Sequence, residues 1–269
     1  MATARRSTSR PSTAKRPSKA SPAPGHHAGA DLSKRAKQGI VLAIMLALFL
    51  GALDQTIVGT ALPQIITELN GANLYTWVVT IYLLASTVTV PIYGKLSDMY
   101  GRKPLLLIGV GLFLVGSALA GLSQNIEQLI LFRGIQGLGA GALFPIALAT
   151  IGDLYSAKER GRYQGLFGAV FGLSSLVGPA LGGWLTDTFS WHLIFYVNLP
   201  IGLLSIAIIL LELPTIKGRP NQKIDFLGAI VFAAGIIPVL IGLTNVQSNA
   251  FATPEVAGLI AAGLAILCI

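Results

Sequence analysis

Two charged side chains and one amide stand out within stretches that are mostly apolar. Asp54 lies within LFLGALDQTIVGTAL, and Arg133 and Gln136 lie within LILFRGIQGLGAGAL. A charge in such surroundings costs a few kcal/mol if the stretch is buried in hydrocarbon, so each one needs a reason. One reason is a static ion pair that neutralises two buried charges. The other is a carboxylate that changes protonation or partner as a protein works. Gln136 stands three residues after Arg133, so both project from one helical face. Gly137 and Gly141 form a GxxxG pair that lets a neighbouring helix approach closely. Polar groups beside such a close approach suggest a lined cavity.

Two further constellations carry unusual spacing. In GKLSDMYGRKP, residues 94–104, the cations Lys95, Arg102 and Lys103 surround a single acid, Asp98. Asp98 is placed to pair with those bases or to cap a helix N-terminus. The interval from Gly94 to Gly101 reads as a tight loop. In GAVFGLSSLVGPALGGWL, Gly168 and Gly172 are four apart, as are Gly178 and Gly182, and Pro179 removes a backbone hydrogen bond mid-helix. Such a helix either slides and bends against a neighbour or packs tightly in a fixed crossing.

Enzyme chemistry has no foothold in the sequence. HExxH, GxSxG, CxxC and GxxxxGK are all absent from it. A lone cysteine, Cys268, excludes an intrachain disulfide or a thiolate cluster, and His26, His27 and His192 are too scattered for a metal site. Neither an enzyme, a metal nor an organic cofactor is expected.

The elements that must hold these residues follow from composition. Of 269 residues, 53% are hydrophobic, 31 are glycine and only 11% are charged. A soluble domain carries about 25% charged residues, so this chain cannot cover a water-facing surface and must be solvated by lipid. Apolar runs fall near 39–64, 75–93, 104–122, 128–151, 164–187, 192–212 and 225–245, and an eighth runs from 254 to the end of the sequence. Each of the first seven approaches the roughly 20 residues that cross a bilayer. On these runs Asp54 lies about 15 Å below the end of its helix and Arg133 about 8 Å, a difference that a long arginine can span.

Charge supplies the orientation. Residues 1–38 hold nine Lys/Arg, four prolines and one acid, a composition that reads as a disordered basic tail. Its prolines would break the amphipathic helix of a transit peptide. The tail and alternate loops, near 94–103, 152–163 and 213–224, together hold 18 of the 19 Lys/Arg, and Arg133 is the exception. The net charge of +8 is therefore a topology signal rather than a nucleic-acid signal. It puts the N-terminus of this multi-pass protein in the cytoplasm; the expected location is a plasma membrane of the bacterial inner-membrane kind.

Four motifs then converge. Gly94, Leu96, Asp98, Gly101, Arg102 and Lys103 fit GxLxDxxGRK; Arg133, Gln136, Gly137 and Gly139 fit RxxQGxG; Gly178, Pro179, Gly182 and Gly183 fit GPxxGG. LDQTIVGTALP at 53–63 is the fourth, and WHLIFYVNLPIG at 191–202 adds a further stretch. In order and on these runs, they resemble the N-terminal part of a major facilitator superfamily transporter, in its drug:H+ antiporter branch with fourteen spans. The sequence departs from the branch at Gly59, where Asn is usual, and at His192, where Arg is usual.

The resemblance implies an all-α multi-pass fold. Residues 39–212 would form a six-helix bundle, 213–224 a cytoplasmic loop, and 225–269 two linking helices, the second cut short. It implies proton coupling at Asp54, with Arg133 and Gln136 serving proton or substrate. The Gly94–Lys103 motif would lock a cytoplasmic gate, and the Gly178–Gly183 motif would shape the antiport switch. The expected partners are the bilayer, protons, a small lipophilic substrate and a missing C-terminal six-helix half, with the proton gradient as energy source. As an N-terminal portion, the chain is not expected to transport alone. The alternatives are another carrier of the superfamily, such as a symporter, and a non-transporting truncated membrane protein.

Overall fold

The computed structural model describes residues 32–215, 225–246 and 253–268, and all regular structure among them is helical. The helices are α1 (Lys34–Glu68), α2 (Tyr75–Tyr100), α3 (Arg102–Ala120), α4 (Ile126–Leu154), α5 (Ala157–Thr188), α6 (His192–Tyr196), α7 (Asn198–Glu212), α8 (Phe226–Asn245) and α9 (Pro254–Leu267). With α6 and α7 taken together, seven segments of 19 to 35 residues are long and apolar enough to cross a membrane. At 14 residues α9 is shorter than a full crossing requires.

Helix starts are set by local chemistry. The Ser33 hydroxyl accepts from the Ala36 amide at 3.1 Å, and the Asn125 side chain accepts from that of Gln128 at 2.9 Å. Ser156 and Glu159 close a reciprocal capping box at the start of α5. Asp225 caps α8 by accepting from Gly228 at 2.8 Å.

These caps correct several boundaries. The Ser33 cap starts α1 at Lys34, so residues 34–38 are helical rather than tail; residues 1–31 lie outside the described residues, as do 216–224 of the expected 213–224 loop. The expected loop at 94–103 is mostly helix, because α2 continues to Tyr100 and only Gly101 breaks the chain. Gly101 takes φ 100°, a left-handed conformation that suits glycine. The sixth run divides at Val197, where Pro200 removes the amide that would bond to the Tyr196 carbonyl and crowds that oxygen.

Packing follows the glycines. A Cβ at Gly109 would lie 2.4 Å from that of Ala142, one at Gly116 would lie 2.4 Å from the Gln136 amide nitrogen, and one at Gly139 would lie 2.4 Å from the Phe113 nitrogen. So α3 and α4 run nearly backbone to backbone. Gly137 and Gly141 open α4 to α2 in the same way, against the Tyr82 carbonyl and Thr89. Helix α1 crosses α5, α7 and α4, and two apolar clusters form along it, one from Ile40 to Leu50 and the other from Leu53 to Ile65. The α8–α9 pair packs on itself through Gly235 and Gly263 and meets α2, where the Thr80 and Thr244 hydroxyls are 2.9 Å apart.

Gly116→Val must push the α4 backbone away at Gln136, whereas a Cβ at Gly111 meets nothing within 4 Å. We expect Gly116→Val to destabilise the purified protein by roughly 1–3 kcal/mol, as overpacking does, and Gly111→Val to be near neutral. Unfolding midpoints in detergent compare the two.

Candidate functional site

The three polar residues of the apolar runs meet in one buried cluster. The relative exposure of Asp54 and Arg133 is 1% and that of Gln136 is 0%. Arg133 Nη1 donates to Asp54 Oδ2 at 2.5 Å and to Gln136 Oε1 at 2.7 Å. Gln136 Nε2 donates to Asp54 Oδ1 at 2.8 Å. Asn198, at the start of α7, donates to the same oxygen at 2.9 Å and to Ser117 Oγ at 2.9 Å, and Ser117 donates to the Phe195 carbonyl at 2.8 Å. The carboxylate of α1 is thus held by donors from α4 and α7, with α3 one bond further out and α6 two.

Arg133 has support beyond the carboxylate. Its guanidinium carbon lies 4.2 Å from the centroid of the Tyr82 ring, a cation–π arrangement, and its Nε donates to the Val78 carbonyl at 3.4 Å. The approach of α4 to α2 at Gly137 makes this contact possible, because a side chain there would collide with the Tyr82 backbone. Tyr82 also lines a neighbouring cavity of about 150 Å³ together with Gln55, Ser86, Gly141 and Phe171. Arg133 and Gln136 themselves do not line that cavity. They are sealed into the cluster by polar partners.

The antiporter-like motif on α5 lies directly against the helix that carries Asp54. Gly178 meets Thr56, and Gly182 meets the Ile57 backbone and Thr60. The Thr56 hydroxyl donates to the Ser174 carbonyl at 3.0 Å across this crossing. Pro179 is exposed, and a Cβ at Gly183, Gly168 or Gly172 would meet nothing within 4 Å. Only half of the glycine pattern is therefore a tight crossing. The other half is an open face.

The Gly94–Lys103 motif forms a second, separate cluster at the end of the bundle where α2 turns into α3. Arg102 is its hub. Its Nη1 pairs with Asp98 at 2.5 Å and donates to Ser97 Oγ at 2.7 Å, and its Nε pairs with Asp153 of α4 at 3.0 Å. Ser97 donates to the Gly94 carbonyl at 2.8 Å, and Lys103 Nζ donates to the Leu210 carbonyl of α7 at 2.7 Å. Nearby, desolvation and then the stacked Tyr163 raise the Tyr155 hydroxyl above the usual phenol range, so it stays neutral.

Asn198, Ser117, Tyr82 and Asp153 were not singled out by the sequence. Asn198 offered the clearest signal, as an amide inside the NLPIGLLSIAIILLE run.

The protein-family model described as Major Facilitator Superfamily matches residues 44–269. Multidrug resistance protein 3 of Bacillus subtilis (strain 168) is 47% identical over 204 residues, which is 76% of this chain and 40% of that protein. Multidrug transporter protein MdtP of the same organism is 41% identical over 217 residues, 79% of this chain and 40% of that protein. The efflux pump dotC of Dothistroma septosporum (strain NZE10 / CBS 128990) is 42% identical over 209 residues, 76% of this chain and 36% of that protein. The chain spans less than half the length of these curated relatives. Among solved structures, the human organic anion transporter MFSD10 (TETRAN) superposes with a TM-score of 0.63 at 18% identity, over 82% of this chain and 59% of that one. Family model, relatives and fold agree that this chain belongs to the Major Facilitator Superfamily, as a multi-pass membrane protein of a family of carriers rather than enzymes.

Proposed function

We propose that the complete protein exports small lipophilic compounds in exchange for protons, and that Asp54 carries the proton. The observation that carries this reading is a buried carboxylate whose guanidinium partner is independently held. Removing one member of a buried ion pair normally strands the other charge, at several kcal/mol. Here the Gln136 Oε1, the Val78 carbonyl and the Tyr82 ring would still support Arg133 if Asp54 were neutralised. Protonation would then loosen α1 from α4 and α7 without leaving a bare cation, which suits a carboxylate that cycles.

The two remaining motifs take complementary roles in this reading. The Arg102 hub ties α2, α3 and α4 at the basic end, with Lys103 adding α7, and serves as a gate on the cytoplasmic side, where the positive-inside rule puts that end. The Gly178 and Gly182 crossing lets α1 shift against α5 as Asp54 changes partners. Export of drug-like small compounds is supported by the relatives named as multidrug transporters and efflux pumps; the lipophilic character of those compounds is part of the proposal. Alternating access needs two bundles rocking about a central site, so a second six-helix half is part of the working transporter.

Three outcomes test this. In the complete protein, Asp54→Asn should abolish proton-driven efflux at normal expression; full efflux in that variant would make Asp54 structural. Arg133→Lys keeps the charge but loses the planar fork. Losing one charge-assisted hydrogen bond, roughly 1.5–3 kcal/mol, should slow coupled efflux about ten- to a hundredfold while leaving folding intact. Residues 1–269 alone, reconstituted in proteoliposomes with an imposed proton gradient, should export no lipophilic cation.

A further inference from the structure

Asn198 is fully buried, with 0% exposure, yet its Oδ1 has no hydrogen-bond partner. Its Nδ2, in contrast, is doubly used, donating to Asp54 Oδ1 and Ser117 Oγ. Every group around Asp54 donates to it: Arg133 to Oδ2, and Gln136 and Asn198 to Oδ1. This shell fits only the ionised carboxylate. A carboxylic acid there carries an O–H that needs an acceptor. The Gln136 Oε1 is already taken by Arg133, whereas the Asn198 Oδ1 is idle. Rotating the amide by half a turn about its broad, two-fold χ2 exchanges the two atoms.

We infer that Asn198 is a positioning residue that reads the protonation state of Asp54, donating to the carboxylate and turning over to accept from the acid. This rests on the proton-carrying role proposed for Asp54. The turnover has a consequence at Ser117. Its hydroxyl now accepts from Asn198 and donates to the Phe195 carbonyl at 2.8 Å. Facing Oδ1 instead, it must swing its proton onto Asn198 and release Phe195. The reversal therefore travels from α1 through α7 and α3 to α6, beside the junction of α6 with α7. The titratable and charged groups facing Asp54 are Arg133 from α4 and Tyr82 from α2. From α3, α6 and α7 the facing groups are neutral: Ser117, the Phe195 carbonyl and Asn198. Across the α1–α5 crossing stand Thr56, Ser174 and Gly178.

The test is infrared difference spectroscopy of the full-length protein in lipid, between high and low pH, with asparagine labelled with ¹³C at the side-chain carbonyl. The expected result is an asparagine carbonyl band that moves to lower frequency as the Asp54 carboxyl band appears. Asn198→Leu should remove the asparagine band and raise the frequency of the carboxyl band, whose O–H has lost its acceptor. Asp54→Asn should remove both. An Asp54 carboxyl band with no labelled asparagine change in the wild type overturns the inference while leaving Asp54 as proton carrier, and needs no variant to fold. A wild-type spectrum in which no Asp54 carboxyl band appears at any pH overturns both readings.

Discussion

A carboxylate and a guanidinium with almost no exposed surface have to be satisfied by the protein alone, and much of the bundle is arranged around that demand. Taking both charges out of water is expensive, and their attraction offsets it only with good geometry and with the remaining lone pairs filled. Asp54 meets the condition with three donors from two other helices. Bringing those donors within reach requires helices that nearly touch. That is why glycine stands at 109, 116, 137, 139 and 141, where a single added carbon would collide with a neighbouring backbone or side chain. The glycines and the charges are two parts of one solution.

How much of this is legible in the sequence depends on contrast. Asp54 and Arg133 stand out because charge inside an apolar run has no cheap explanation, and Gln136 because helical spacing puts it beside Arg133. The structure brings all three together. Asn198, Ser117 and Tyr82 carry no such contrast, since a short polar residue or a tyrosine within a span is ordinary until its neighbours are known. Asp153, near the end of α4, carries no such contrast either, and only the meeting of that end with the start of α3 gives it to Arg102. Helix ends were misread for the same local reason. Ser33 and Gly101 decide where α1 begins and where α2 stops, by one hydrogen bond and one backbone conformation. Periodicity does not register either.

The glycine-rich α5 shows where pattern reading divides. Gly168–Gly172 and Gly178–Gly182 are the same spacing in the sequence, yet only the second pair meets a neighbouring helix. A GxxxG pattern marks a surface capable of close approach, and says nothing about which partner fills it. In this chain one pair is occupied by α1, two residues from Asp54, through Thr56. Small movements of α1 are therefore felt first at that crossing.

Helix α7 links the two polar clusters. Its first residue, Asn198, bonds to Asp54, and its Leu210 carbonyl accepts from Lys103 beside the Arg102 hub. The two points are 12 residues apart, about 18 Å along a helix. Between them Ser205 donates to the Ala43 carbonyl of α1 at 3.1 Å, so α7 is fixed to α1 midway. A helix pinned at both ends and at its middle does not absorb a change at one end by bending. It tilts or slides as a rod. A change in what Asn198 offers to Asp54 would thus be delivered to Leu210, where the contact with Lys103 either follows or breaks. At Val197 α6 runs into α7 with helical backbone angles, φ −57° and ψ −30°, so the start of α7 is tied through a single junction to the packed Trp191 and Phe195.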